Sequence, residues 1–171
     1  MNAHELNEKL CKMLLGKPLA RIGRVGDMII LYLGNTKIEE ATATKRKCIK
    51  SEYGIHIGCP FHILNQNNVL VGSYDVYLNN DGNEDEVWKM LESTFFDQRA
   101  IYYNESVAPL HVEFIQVDTV GTLTMNLERG YVIKAFPNGS AKDEYWCFLS
   151  FLKNQKEFIV VNEDLVEEVD E

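Results

Sequence analysis

His56, Cys59 and His62 stand three residues apart in GIHIGCPFHI, and imidazole and thiolate are the ligand types that hold zinc. This is the one cluster of metal-ligand types in the chain, so whether the three can converge decides whether a local catalytic signature exists. The pattern around them says they do not. From Tyr53 to Ile63 every odd position is apolar or a thiol, while the even positions are Gly54, His56, Gly58, Pro60 and His62. Period-two alternation predicts a strand with one buried face. Cys59 then points into the core, and the two imidazoles point away from it, about 20 Å apart at roughly 3.3 Å per residue. No metal and no cofactor is expected. A bulge at Pro60, which cannot donate to a strand ladder, is the one device that could swing His62 round.

Other residues with chemical potential have structural explanations beside functional ones. Asp75 lies inside the apolar run VGSYDVYL, where a charge needs a partner or water. Asp118 precedes a Thr-Val-Gly turn, which suits bonding to local backbone. Arg99 can cap the last carbonyls of a helix or pair with an acid, and Asp97 and Glu144 can enter ion pairs. The Gly23 and Gly26 pair lacks the full glycine pattern and the following helix of a phosphate loop. TKRKCIK from Thr44 to Lys50 holds four bases, but without neighbouring exposed aromatics or a basic surround it reads as a solvated strand or loop. Nothing matches a nucleophile elbow, a zinc-protease helix or a calcium-binding loop.

The elements that position these residues follow from periodicity and punctuation. Asn2 and Glu5 sit at capping-box spacing ahead of Leu6, Leu10, Met13 and Leu14, which predicts an N-terminal helix stopped by Gly16 and Pro18. LARIGRVGDMIILYLG predicts a hairpin turning at Gly26-Asp27, and VLVGSYDVYL a strand partner after the Asn65 to Asn68 turn. Asn83 with Glu86, then Val87, Leu91, Thr94 and Phe95 with Trp88 alongside, predict a second helix ending at about Phe96. Its acids Glu84, Asp85 and Glu86 suit a first helical turn. LHVEFIQV, TLTMNLE, YVIKAF, EYWCFLSFL and EFIVV predict an antiparallel meander. Leu123, Met125 and Leu127 should face inward, and YWCFLSFL, apolar on both faces, should be a covered central strand.

The expected fold is α+β. A single domain over residues 1–161 carries a largely antiparallel sheet, a meander or a partly closed barrel, with an N-terminal helix and one central helix packed on it. Residues 162–171 form an acidic C-terminal tail that could dock on its own domain, fray, or meet a basic partner.

A length of 171 residues with 46% hydrophobic content supports one substantial core. The net charge of −9 argues against nucleic-acid phosphates and for a basic partner. Six acids and no base lie in NEDLVEEVDE, so everything before it sums to only −3. The start lacks a secretory signal, and no run reaches the roughly 18 apolar residues of a membrane span, so a cytoplasmic protein is expected. Four cysteines without a CxxC pair suit reduced thiols.

The series Gly58-Cys59-Pro60-Phe61-His62-Ile63, Val71-Gly72-Ser73-Tyr74-Asp75, Phe96-Asp97, and Phe136-Pro137-Asn138-Gly139-Ser140 with Glu144-Tyr145-Trp146 resembles a family of small uncharacterised bacterial proteins. The likeness runs from about residue 50 to 150. It departs at Phe61-His62, where the family tends to Trp-Arg, and at Cys147, where it tends to Arg. The resemblance implies a bacterial, cytosolic α+β domain with no established activity.

Two function classes therefore stand. The leading expectation is a non-enzymatic binding protein of the toxin-immunity type that uses an acidic surface, including Glu163, Asp164, Glu167 and Glu168, against a basic protein partner. The rival is a small-ligand binder or enzyme with a concave site near His56, His62 and Asp75 and at least one strongly perturbed pKa. A two-fold homodimer is a further possibility.

Overall fold

The computed structural model describes residues 1–40, 47–79, 93–139, 144–152, 155–162 and 167–168. Among these residues the fold is a mostly antiparallel open sheet with two helices, an α+β arrangement. The first helix, α1 (Ala3–Leu14), begins as the sequence predicts. The Asn2 side chain accepts from the Glu5 amide at 3.0 Å, and the Glu5 carboxylate accepts from the Asn2 amide at 2.8 Å. Leu6, Leu10, Met13 and Leu14 form its buried stripe, each worth about 1.5 to 3 kcal/mol on burial.

Eleven strands follow among the described residues: β1 (Pro18–Val25), β2 (Met28–Glu40), β3 (Lys47–Ile57), β4 (Phe61–Asn65), β5 (Asn68–Gly72), β6 (Leu110–Val117), β7 (Leu123–Leu127), β8 (Tyr131–Ala135), β9 (Trp146–Leu152), β10 (Gln155–Val161) and β11 (Glu167–Glu168). They lie side by side in the order β11-β10-β9-β3-β2-β1-β6-β7-β8-β4-β5. The β1–β2 turn carries Gly26 at φ 63, as a Gly-first two-residue turn requires, and the β4–β5 turn carries Gln66 and Asn67 at φ 47 and 69. The chain runs as a meander through β6–β7–β8 and again through β9–β10–β11. It does not do so between β8 and β9, which corrects the expectation of one continuous meander. Instead β8 pairs with β4, and β9 inserts between β3 and β10. That is the central place its two apolar faces call for. Leu123, Met125 and Leu127 all face inward.

The predicted strand from Tyr53 to Ile63 turns a corner. β3 ends at Ile57 and β4 starts at Phe61, because Pro60 cannot donate to a ladder and the amides of Gly58 and Cys59 both donate to the Tyr145 carbonyl at 3.0 Å. The alternation survives the corner. Tyr53, Ile55, Ile57, Cys59, Phe61 and Ile63 are all buried, and His56 and His62 are not. The corner carries the chain from one limb of the sheet, β11 to β1, into the other, β6 to β5. Phe61 pairs with Ala135, so the first and last strand residues of the second limb along the chain are neighbours.

The limbs join through β1 and β6, which pair over only two residue pairs, Pro18↔His111 and Leu19↔Leu110. Beyond that, side chains replace the missing strands. Asn104 donates to the Ile22 carbonyl and accepts from its amide, both at 2.9 Å. Asn7 on α1 does the same for Val117 on β6, at 2.8 and 2.6 Å. Each carboxamide thus satisfies one main-chain donor and one acceptor where the strands part. The Tyr103 hydroxyl adds a bond to the Leu19 carbonyl at 3.0 Å.

The second helix differs from the expectation. Residues 83–92, on which its predicted start falls, lie outside the described residues. The described helix, α2 (Phe95–Tyr102), continues past the predicted end at Phe96 and runs into a π-helical turn at Tyr103–Val107. The reason is local. Thr94 stands at the N-cap, and its amide donates to the Asp97 carboxylate at 2.8 Å. Arg99 sits in the last turn of α2, as the sequence predicts for a residue near the helix end, with its guanidinium 4.8 Å from the Phe95 ring. Phe96 packs edge-on against Phe61. Arg24 forks onto Asp97 through Nε at 2.9 Å and Nη2 at 2.6 Å, tying the β1–β2 hairpin to α2. One hydrophobic cluster includes α1, α2 and strands of both limbs.

Candidate functional site

The structure sets His62 opposite Gly72, bonds Asp75 to the Gly72 amide, and places His56 elsewhere. VLVGSYDVYL is not one strand. β5 stops at Gly72, and Ser73–Tyr77 forms a 3-10 turn that swings Asp75 back, where its Oδ2 accepts from the Gly72 amide at 2.9 Å. The charge in the apolar run thus has its partner, a main-chain N–H at the free edge of the sheet. His62 lies on β4 opposite Gly72, and its Cδ2 is 3.6 Å from where a Cβ on Gly72 would sit. Its imidazole meets the Phe136 ring edge-on at 5.0 Å between centroids, and Lys134 is its neighbour on β8. This edge holds an exposed histidine paired with a lysine across the ladder, and a carboxylate engaged by the Gly72 amide.

His56 lies on β3 between β2 and β9, directly opposite Cys147. Burial pushes the His56 imidazole below its ordinary value, against the opposing pull of the Glu144 charge. Burial also pushes the Cys147 thiol up to about 12, and Glu144 adds to the shift as hydrogen-bond partner and as a negative charge. A thiol, an imidazole and a carboxylate side by side resemble the parts of a cysteine nucleophile. Their electrostatics oppose that use, because the thiolate is the reactive form and here the proton is held on sulfur beside a neutral ring. Local spacing could not reveal this juxtaposition, since Cys147 and His56 meet only through the β3–β9 pairing.

Cys59 is buried among aliphatic and aromatic neighbours, and burial pushes its thiol up to about 11. Among the described residues no group of three or more His, Cys, Asp or Glu could hold a metal ion. Asp118 serves its turn, accepting from the amides of Val120 and Thr122, each at 2.9 Å. A shallow groove of about 500 Å³ runs beside Met1, Glu5, Glu8, Lys9 and Lys12 on α1. Its lining comes from one helix and its start, so no second element converges on it.

Of the acidic partner-binding candidates, Glu167 and Glu168 form β11, paired with Val160 and Ile159 of β10 at the outer edge of the sheet. Glu163 and Asp164 lie outside the described residues. No helix among the described residues is long and apolar enough to cross a membrane. Comparison with protein-family models, curated proteins and solved structures finds no match for the chain.

Proposed function

We propose that this chain is a non-enzymatic binding module of the toxin-immunity type, in a bacterial cytoplasm, that engages a basic protein partner through its acidic C-terminal edge. The observation that carries the proposal is the position of Glu167–Glu168 as the outermost strand, within a ten-residue stretch holding six acids and no base. An edge strand offers main-chain groups to a second chain, and carboxylates along it select a basic one and speed its encounter. Several residues with chemical potential also support it, because they are occupied locally. Asp75 holds the Gly72 amide, Asp97 holds Arg24, and the Cys59 and Cys147 thiols keep their protons. In the same proposal the sheet is a partly closed barrel, which the bond from Trp146 Nε1–H to the Gly121 carbonyl at 2.8 Å favours by linking β9 to the β6–β7 turn.

The test is affinity capture from the source cell with three baits: the full chain, a chain ending at Val161, and a chain with Glu163, Asp164, Glu167 and Glu168 changed to Gln or Asn. The expected result is one basic protein bound by the full chain alone, released by salt and rebound as a purified pair. Equal recovery by all three baits would remove the acidic edge from the account. A second function class, a small-ligand site near His62 and Asp75, has one observation in its favour: exposed His62 is paired with Lys134 on one side and stands opposite Gly72 on the other. It is a small-anion binding corner, and titration with inorganic phosphate monitored at the His62 ring protons checks it.

A further inference from the structure

The outer face of the second limb carries its side chains in rows, because its neighbouring strands pair in register. Gln116 on β6 stands opposite Thr124 on β7, Thr124 opposite Lys134 on β8, Lys134 opposite His62 on β4, and His62 opposite Gly72 on β5. Alternation fixes the face. Leu123, Met125, Ile133, Ala135, Phe61 and Ile63 are buried, whereas Thr124, Lys134 and His62 between them are not. Each of these three brings a hydrogen-bond donor, and side chains directly opposite on adjacent strands start about 5 Å apart.

The row has donors without a counter-charge. Acids outnumber bases 26 to 17 in the chain, and the half-buried cations Lys17 and Arg24 are each paired, with Glu52 at 3.1 Å and Asp97 at 2.6 Å. Lys134 is half-buried as they are, yet among the described residues it has no carboxylate partner. An ammonium group kept partly out of water is stabilised by an anion, and the sheet supplies none beside it. Asp75 is bonded to the Gly72 amide at the end of the row, and Gly72 lies two strands from Lys134, about 10 Å at roughly 4.8 Å per strand. Phe136 holds the His62 ring edge-on at 5.0 Å, and Gly72 opposite it adds no side chain to the row.

The adjoining row is apolar. Two residues along each strand, about 7 Å away, Leu64 stands opposite Val132, and across from Leu64 lies Val69, 57% exposed. We infer that this face binds a phosphate monoester of an apolar alcohol. The three terminal oxygens of the phosphate match three donors offered by three adjacent strands, and the Lys134 ammonium supplies the opposite charge. The apolar body then covers the half-buried Val132 and Leu64. The inference rests on the small-ligand reading of this edge, and adds the ligand class and the cation that selects it.

NMR titration of the full chain near neutral pH, with inorganic phosphate and with phenyl phosphate, tests the inference. Phenyl phosphate should bind roughly tenfold or more tighter, with shifts at the His62 ring and at the Val132 and Leu64 methyl groups. Lys134→Gln should weaken both probes roughly tenfold and leave Tm unchanged, since no bond within the protein is lost. Leu64→Asn should bring phenyl phosphate down to the affinity of inorganic phosphate and leave the latter as it was. Equal affinity for the two probes would overturn the inference and leave a small-anion site standing. No shift with either probe up to about 10 mM would remove both. Binding that survives Lys134→Gln, or shifts that map to the groove on α1, would also overturn it.

Discussion

Replacing Asn104 with leucine tests the joint between the two limbs. The change keeps about the same volume but removes the partner of both main-chain groups of Ile22, a residue only 2% exposed. A buried polar group left alone costs about 1 to 3 kcal/mol, and Asn104 is half-buried, so water relieves part of the loss and about 2 to 4 kcal/mol is expected. For a chain of this size that is a fall in Tm on the order of 10 °C. Urea unfolding should show the midpoint falling at constant slope. Hydrogen exchange should show the Ile22 amide losing protection before its neighbours on β2. Asn104→Asp adds a sign. The carboxylate still accepts from the Ile22 amide but sets an anion against its carbonyl, so the deficit relative to wild type should shrink as pH falls and the carboxyl gains a proton to donate. A loss below about 0.5 kcal/mol for the leucine variant, within the range of ordinary surface changes, would refute the bridging role.

Further outcomes follow from the same structure. Burial pushes the Asp97 carboxyl up, yet the bonds from Arg24 and Thr94 outweigh it and hold it below the ordinary carboxylate value. A depressed folded pKa contributes stability that is present above the unfolded value near 4 and lost as pH falls through the folded one. Asp97→Asn should therefore flatten the acid limb of the stability curve, and at neutral pH it should cost about 1 to 3 kcal/mol by removing the carboxylate onto which Arg24 forks. Thiol alkylation of the native protein at pH 8 should label exposed Cys48 first and spare Cys59 and Cys147 until urea unfolds the chain. Labelling of native Cys147 as fast as Cys48 would restore it as a nucleophile. Gly34→Ala should destabilise by more than the 1 kcal/mol or so typical of a left-handed position, because Glu52 must also move, and thermal unfolding would measure it.

Local rules made some of this legible in the sequence. The Asn2–Glu5 cap, the Gly26 turn, the inward set of β7 and the inward thiol of Cys59 each depend on residues within one turn or one strand. Where tertiary partners decide, the sequence was silent or misleading. The strand through Asp75 was too long because the gain from returning that carboxylate to the Gly72 amide cannot be seen in hydrophobic alternation. The predicted helix end at Phe96 missed that Thr94 caps a helix beginning at Phe95, because the bond between its amide and the Asp97 carboxylate does not show in an apolar stripe, and the predicted start at Asn83 lies outside the described residues. The His56–Cys147 pair, the bridging carboxamides of Asn7 and Asn104, and the fork of Arg24 on Asp97 all span distant parts of the chain. No spacing encodes them.

The pairing of Phe61 with Ala135 bears on the order in which a growing chain can assemble. The stretch between these residues emerges from the ribosome with its own ladder of partners, and its ends leave side by side. β3 is in a different position. One of its flanks stays bare until Trp146 and its successors are made, so until then Ile55 and Ile57 are paired on the β2 side alone. Residues 146–171 supply that second flank, and a premature stop before them leaves β3 with an open, aliphatic edge.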